Sequence, residues 1–389
     1  MQLQANWNYP TAITVGEGSL QQLGLACQQA GINKALLVTD PGLAELPMVQ
    51  IAVDACQRAD IECQVFSQIK ANPTGENVDA GVKVYREGGF DGVIAFGGGS
   101  SLDAAKAIAL MAGQYLPLWA FEDVGDNWQH ADVQGIAPVV AIPTTAGTGS
   151  EVGRASVITD SKNKVKKIIF HPKMLPVKVL LDPQVTTGLP SHITAATGMD
   201  ALSHNLEAFC ATSYHPMAEG IALEGVRLVK EYLPQAVENG DDLTARTQML
   251  VASTMGATAF QRGLGGMHAI AHTLGALYDK HHGLLNAILM PYVLLANKSA
   301  IDDKMTHLAR YLDLPEPSFD SLLDWVLELR TQLDIPNTLA DINITIEDAQ
   351  HVGSMSVVDP SAGGNPIEFS AQQYSAIFVD AVVGRLSRT

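Results

Sequence analysis

The run Gly92-Val93-Ile94-Ala95-Phe96-Gly97-Gly98-Gly99-Ser100-Ser101-Leu102-Asp103 passes from an apolar segment, through three glycines, into helical spacing. Its first five residues show no polar alternation, as expected of a strand covered by helices on both faces. Glycines let a backbone approach a ligand with no Cβ in the way. The helix start behind them offers unpaired N–H groups and a partial positive charge, which suits a diphosphate. Ser100 or Ser101 would then cap the helix or donate to a phosphate oxygen. The run is neither a GxGxxG turn nor a Walker loop, and taken alone a tight strand-to-helix turn explains it equally well.

The same texture extends on both sides of that run. Residues 34–40, 138–142 and 177–181 are further strand candidates rich in Leu and β-branched residues, while residues 20–30, 48–60, 77–87 and 100–111 carry helical spacing. Strands alternating with helices predict a parallel α/β sheet. In such sheets ligands bind at the carboxyl ends of the strands. Two more strand ends are suitably polar. Pro143-Thr144-Thr145-Ala146-Gly147-Thr148-Gly149-Ser150-Glu151 supplies hydroxyls and glycines. Asp40 could accept from a ribose 2′-hydroxyl and repel a 2′-phosphate; its local alternative is to cap the turn at Pro41-Gly42. Together the three strand ends favour a dinucleotide.

Past about Pro183 the pattern changes. Residues 193–210, 216–238, 243–260, 267–278, 284–297, 302–312, 319–333 and 371–385 read as helices, with no strand candidate of similar quality. The expected architecture is an α/β N-terminal domain with a parallel dinucleotide-binding sheet over residues 1–185. An all-helical, metal-binding and catalytic C-terminal domain follows over residues 186–389.

The helical half holds the chemistry-bearing side chains. Asp200 and His204 stand at i and i+4, on one helix face, as metal ligands must. His268 and His272 repeat that spacing, and His281-His282-Gly283 follows. Such polar residues among Ala, Leu and Met are costly to bury without a purpose. A carboxylate with several imidazoles fits Fe(II) or Zn(II). A single Asp–His pair is more often a surface or hydrogen-bonding pair; two pairs plus a third histidine group favour a site. Spacing does not choose which three histidines bind, and His268 with His272 is the simplest pairing. His130, His171, His192, His215, His307 and His351 lack ligand-like neighbours.

Bulk composition narrows the class further. Apolar residues make up 47% and charged ones 17% of 389, a globular composition. A formal charge of −17 repels phosphate backbones and anionic membrane surfaces, so neither nucleic acid nor a membrane is expected as partner. No unbroken apolar run approaches the ~20 residues that span a bilayer. MQLQANWNYP lacks the basic start and apolar run of a secretory signal. Cys27, Cys56, Cys63 and Cys210 show no CxxC spacing and read as reduced, mostly buried thiols of a cytoplasmic protein.

Taken together, these segments resemble the iron-dependent, or group III, alcohol dehydrogenase family, whose members include lactaldehyde reductase and 1,3-propanediol dehydrogenase. The resemblance covers nearly the whole chain. It rests on ThrAsp at 39–40, AsnProThr at 72–74, GGGSSLDAAK at 97–106 and PTTAGTGSE at 143–151. It continues through GMDALSHNLEA at 198–208, GLGGMHAIAHTLGA at 263–276 and HHGLLNAILMP at 281–291.

The resemblance implies hydride exchange between NAD and a small primary alcohol or aldehyde, assisted by Fe(II), with Zn(II) as the alternative ion. It implies metal ligation by Asp200, His204, His268 and His282. His272 then corresponds to the family's non-ligand histidine near the nicotinamide, with a catalytic proton-relaying or positioning role. Asp40, Asn72, Gly98, Gly99, Ser100, Asp103, Thr144, Thr145, Thr148 and Leu180 correspond to cofactor contacts, and Lys166 or Lys167 to a ribose-contacting lysine. A homodimer or larger homo-oligomer is expected. Gly153 stands where the family commonly has Thr, and Asp359-Pro360-Ser361-Ala362-Gly363-Gly364-Asn365-Pro366-Ile367 lacks the family's usual Cys and Arg. The usual substrate contacts are therefore not carried over; Phe260, Leu264 and Ser361 are candidates for a small apolar pocket. Two rival readings are a dehydroquinate-synthase-like lyase using NAD transiently and a non-catalytic nucleotide-binding protein. The first calls for basic residues toward a phosphorylated substrate, and the second would tolerate loss of a metal set that is complete here.

Overall fold

The computed structural model describes Tyr9, residues 11–163 and residues 165–387. The chain divides into two compact units, one spanning Tyr9–Gly188 and the other beginning at Leu189.

The first unit is built on a six-stranded parallel sheet. Its strands are β1 (Ala12–Val15), β2 (Lys34–Val38), β3 (Glu62–Phe66), β4 (Gly92–Gly97), β5 (Val139–Pro143) and β8 (Lys178–Leu181). Their spatial order is β1-β8-β5-β4-β2-β3. The chain leaves β2 for β3 on one side and returns to β4 on the other, so the order reverses between β2 and β4. The carboxyl ends of these two strands are Thr39-Asp40 and Gly97-Gly98-Gly99, and β5 ends beside them in Thr144-Thr145. That reversal point is where open α/β sheets bind ligands.

The four strands legible in the sequence are the central ones plus β8. Val93, Ile94, Ala95 and Phe96 of β4 are fully buried, and burial on both faces is what removes polar alternation. On one face Leu23, Cys27, Ala52 and Cys56 pack against Leu37, Ile94, Phe96, Val140, Ile142 and Leu180. Each large aliphatic or aromatic side chain so buried stabilises by about 1.5–3 kcal/mol. The strands missed are those exposed to water on a face or edge. β1 and β3 flank the sheet, with exposed and half-buried residues alternating along β3 before the buried Phe66. β6 (Ala155–Asp160) and β7 (Val165–Phe170) form a separate antiparallel hairpin.

In the second unit the described residues form helices and no named strand. The helix Ser191–Cys210 is its axis, buried almost continuously from Thr194 onward. It packs against the helices Pro216–Glu238, Leu243–Ala259 and His282–Tyr311. The two candidates at 284–297 and 302–312 are one helix of 30 residues, His282–Tyr311, which continues through Pro291. By length and composition this helix could cross a membrane, although no single unbroken apolar run suggests it. Its most apolar stretch is 67% buried, as expected of a core helix. A short helix, Ala349–Ser356, also escaped the periodicity reading. Cys27, Cys56 and Cys210 are buried and Cys63 is half-buried, all as free thiols.

Candidate metal centre and nucleotide loops

The register of the helix Ser191–Cys210 sets Asp200, His204 and Glu207 on one face, at i, i+4 and i+7. The helix Gly266–Tyr278 brings His268, and the helix His282–Tyr311 brings His282 on its first turn. Close approach of this last helix depends on Gly283. A Cβ there would lie 2.3 Å from the carbonyl oxygen of Ala196, so any other residue would push the helix, and His282 with it, away from Asp200.

Asp200, His204, His268 and His282 bring one donor atom each within 4.8 Å of one another. The rings of His204 and His268 stack at 4.6 Å between centroids, and Nε2 of His282 lies 3.6 Å from Oδ1 of Asp200. Three of the four residues are buried, while the His282 side chain keeps 29% exposure. The amide nitrogen of Asn286 lies 2.8 Å from Oδ1 of Asp200 and 3.2 Å from Nε2 of both His268 and His282. Acceptor lone pairs from three segments thus converge on one small volume. One carboxylate and three imidazoles at this spacing fit a divalent first-row ion.

Electrostatics favour the ligating forms of Asp200 and His282. Burial alone would raise the Asp200 carboxyl, but the imidazoles of His204, His282 and His268 and the Asn286 amide outweigh it and hold the group at about 2. Burial pushes His282 well below the ordinary histidine range, leaving its lone pair free. His268 is drawn upward despite burial because the Glu207 carboxylate faces it.

His272 lies one turn beyond His268 and outside this set. Its ring stacks on His282 at 5.1 Å, and its Nδ1 faces the Asp359 carboxylate at 3.1 Å. The spacing-based pairing of His268 with His272 as co-ligands is therefore not what the structure assembles. His281 serves as a helix cap, its Nδ1 accepting from Leu284 N–H. Phe260 rests against the His204 ring at 5.2 Å. Ser361 donates its N–H to Oδ1 of Asp359, and Leu264 is half-buried.

The sequence reading passed over two buried residues at this centre, Glu207 and Asn286. Both carry a periodicity signal. Glu207 continues the Asp200–His204 face by one turn, and Asn286 stands four residues after His282. Neither residue type is diagnostic without its partners, which lie on other helices.

In the first unit the helix Gly99–Met111 starts at Gly98 with no side-chain cap. Ser100 donates instead to the carbonyl of Ala71, and Ser101 to Oδ2 of Asp40, so neither serine caps the helix as expected. The first N–H groups of this helix are thus left to other partners, at the sheet's ligand-binding edge. Gly99 fits under Thr148: a Cβ there would stand 2.6 Å from Thr148 Cγ2. Gly98 lies beside Thr145 in the same way, at 3.4 Å, so the two polar loops touch.

Asp40 does perform its local role, its Oδ1 accepting from Gly42 and Leu43 N–H. Both oxygens of Asp103 are engaged within the fold. Oδ1 accepts from Ser150 Oγ at 2.5 Å and Oδ2 from Val157 N–H at 2.9 Å, so this residue holds the second loop and β6 in place. Leu180 sits in β8 with its side chain in the core. Thr144 is buried, and its N–H donates to the Gly97 carbonyl. Of the two lysines, Lys166 reaches Oδ1 of Asn72 at 2.8 Å, while Lys167 pairs with Glu122 at 2.7 Å.

Comparison with known proteins places this arrangement. Residues 10–183 match the model of an iron-containing alcohol dehydrogenase family, and residues 194–382 match the C-terminal model of the Fe-containing alcohol dehydrogenase family. The chain is 38% identical to a 4-hydroxybutyrate dehydrogenase of Cupriavidus necator, over 94% of this chain and 97% of the relative. It is 32% identical to an NAD-dependent methanol dehydrogenase of Bacillus methanolicus, over 97% of this chain and the whole of the relative. The crystal structure of a 1,3-propanediol oxidoreductase superposes with a TM-score of 0.92 at 34% identity, covering 97% of this chain and all of that one.

Proposed function

Since this chain belongs to the iron-containing, NAD-dependent alcohol dehydrogenase family, we propose that it exchanges a hydride between NAD(H) and a small primary alcohol or its aldehyde. The observation that carries this reading is the convergence of Asp200, His204, His268 and His282 within 4.8 Å. 4-Hydroxybutyrate, methanol and 1,3-propanediol, named for the relatives above, all bear a primary hydroxyl, which supports that substrate class.

Asp200, His204, His268 and His282 would hold a divalent ion, with Fe(II) favoured by the family and Zn(II) compatible with the same donors. When bound, the ion supplies Lewis acidity that lowers the pKa of an alcohol oxygen or polarises a carbonyl. The uncapped N-terminus of the helix Gly99–Met111, with the Gly98, Gly99, Thr144, Thr145 and Thr148 backbone and hydroxyls, suits the diphosphate of NAD. Asp40 stands at the strand end suited to the adenosine ribose, and Lys166 with Asn72 forms the better-placed of the two lysine contacts. His272, braced by Asp359, would hold or move a proton at its Nε2.

The test is NADH absorbance with a panel of straight-chain primary alcohols, including 4-hydroxybutyrate, and their aldehydes. The metal-stripped protein is compared with protein reloaded with Fe(II) or Zn(II). Turnover that returns with the ion is expected. No metal-dependent turnover with any member, in either direction, would overturn the proposal.

A further inference from the structure

The helix Gly266–Tyr278, which carries His268, has no side-chain cap of its own: its N-cap is Gly265. Its first N–H groups are satisfied from elsewhere in the second unit. Oε2 of Glu207 accepts from Gly265 N–H at 2.8 Å, and Oε1 accepts from Met267 N–H at 2.7 Å. Oδ1 of Asn365 accepts from Gly266 N–H at 2.9 Å. The same Oε2 of Glu207 lies 2.6 Å from Nδ1 of His268. Glu207 is 7% exposed and His268 1% exposed. Asn365 is pinned in turn by reciprocal bonds to Asn297 at 2.9 and 3.0 Å.

We infer that Glu207 is a positioning residue of the metal centre: it fixes His268 as the Nδ1–H tautomer and ties that ligand to the capped start of its helix. The inference rests on the metal-binding reading above. An ionised carboxylate has acceptors only. With two backbone N–H groups already donating to it, the contact to His268 is a hydrogen bond only if Nδ1 carries the proton. The Nε2 lone pair then faces Asp200, His282 and Asn286. The negative charge is also favoured where it stands, at a helix N-terminus. One side chain thereby sets both where the helix begins and which ring nitrogen of the helix's third residue, His268, is free. Carboxylate partners of this kind orient ligating imidazoles and raise their basicity, and losing one costs roughly 10–100-fold in metal affinity.

Glu207→Gln separates this role from packing, because it keeps shape and removes one acceptor. Whichever way the amide turns, its NH2 meets a backbone N–H or donates to Nδ1. In the second case the ring proton moves to Nε2 and points at the ligand set. Zn(II) binding to the metal-stripped full-length protein is measured by competition with a chelating indicator, beside NADH binding by fluorescence. The expected result is a Zn(II) Kd weakened by about 10–100-fold with NADH binding retained. A Zn(II) Kd within about twofold of the parent overturns the inference. The parent protein is examined as well, by 15N-histidine NMR in the metal-free form at alkaline pH. An Nδ1–H tautomer at His268 is expected, and an Nε2–H tautomer overturns the assignment even if the variant fails to fold. A parent protein that binds no Zn(II) or Fe(II) refutes the metal-binding reading instead, and the NMR result still decides the Glu207 contact.

Discussion

Nδ1 of His272 lies 3.1 Å from Oδ2 of Asp359, while its ring stacks on His282 without joining the ligand cluster. His268, one turn earlier, has its own carboxylate partner in Glu207. Two histidines on one helix face are thus anchored by two different acids.

That division predicts a split between neighbouring variants. His268→Ala should lose both the bound ion and turnover. His272→Ala should keep the ion at parent stoichiometry while turnover falls by about 10²-fold or more, the scale of a lost general acid–base group. Elemental analysis of dialysed protein beside steady-state rates checks this. Loss of metal from His272→Ala would end the separation of roles.

A second prediction concerns the glycine loop after β4. In Gly99→Ala the new methyl would stand 2.6 Å from Thr148 Cγ2, forcing the two loops apart. NADH affinity should drop by about tenfold or more, equivalent to ~1.4 kcal/mol, with metal content unchanged. Fluorescence titration with NADH reads the first and elemental analysis the second. An unchanged Kd would place the diphosphate elsewhere.

Asp40 allows charge to be separated from capping. Asn caps as well as Asp, so Asp40→Asn should preserve the turn held through Gly42 and Leu43. Removing the negative charge should raise the ratio of NADP to NAD efficiency by about tenfold, because a 2′-phosphate is no longer repelled. If kcat/KM for the two cofactors keeps its parent ratio, Asp40 is a cap and nothing more.

His171 gives a pH signature in the first unit. Burial, with a smaller contribution from the nearby Lys173 charge, lowers its pKa below the ordinary 6.5. Its Nδ1 accepts from Lys173 N–H at 3.0 Å, which only an unprotonated nitrogen can do. The unfolded chain therefore binds a proton more readily than the folded one. The stabilisation is complete above pH 6.5 and is lost as pH falls through the lower folded value. Urea unfolding should show His171→Ala less stable than the parent at pH 7.5, with the gap shrinking toward pH 5. Curves that stay parallel across this range would contradict it. The full effect should be about 0.5–2 kcal/mol, the worth of a helix cap.

The sequence was most legible where burial is symmetric. β4 and β5, covered on both faces, wrote themselves as unbroken apolar runs, whereas β3 and the β6–β7 hairpin mix charge with apolar residues because part of each faces water. The two helix segments at 284–297 and 302–312 are read as separate in the sequence, with Lys298-Ser299-Ala300-Ile301 between them. In the fold Asn297 is a buried partner of Asn365, and the backbone never leaves the helix.

What the residues determined by themselves is local. Helical periodicity alone put Asp200 and His204 on one face, and glycines after β4 allowed a close approach of the backbone. Periodicity orients a side chain about its own helix axis and says nothing about the neighbour that axis will meet. His268 and His272 are equivalent by that measure, so motif resemblance, and not spacing, singled out His268 in the chain. The tertiary structure supplies the physical difference: Glu207 lies 61 positions from His268 and Asp359 lies 87 from His272. The crossing of Gly283 against Ala196 then carries His282 to Asp200. Convergence of donors is a property of helix packing, and packing is decided only when the distant segments meet.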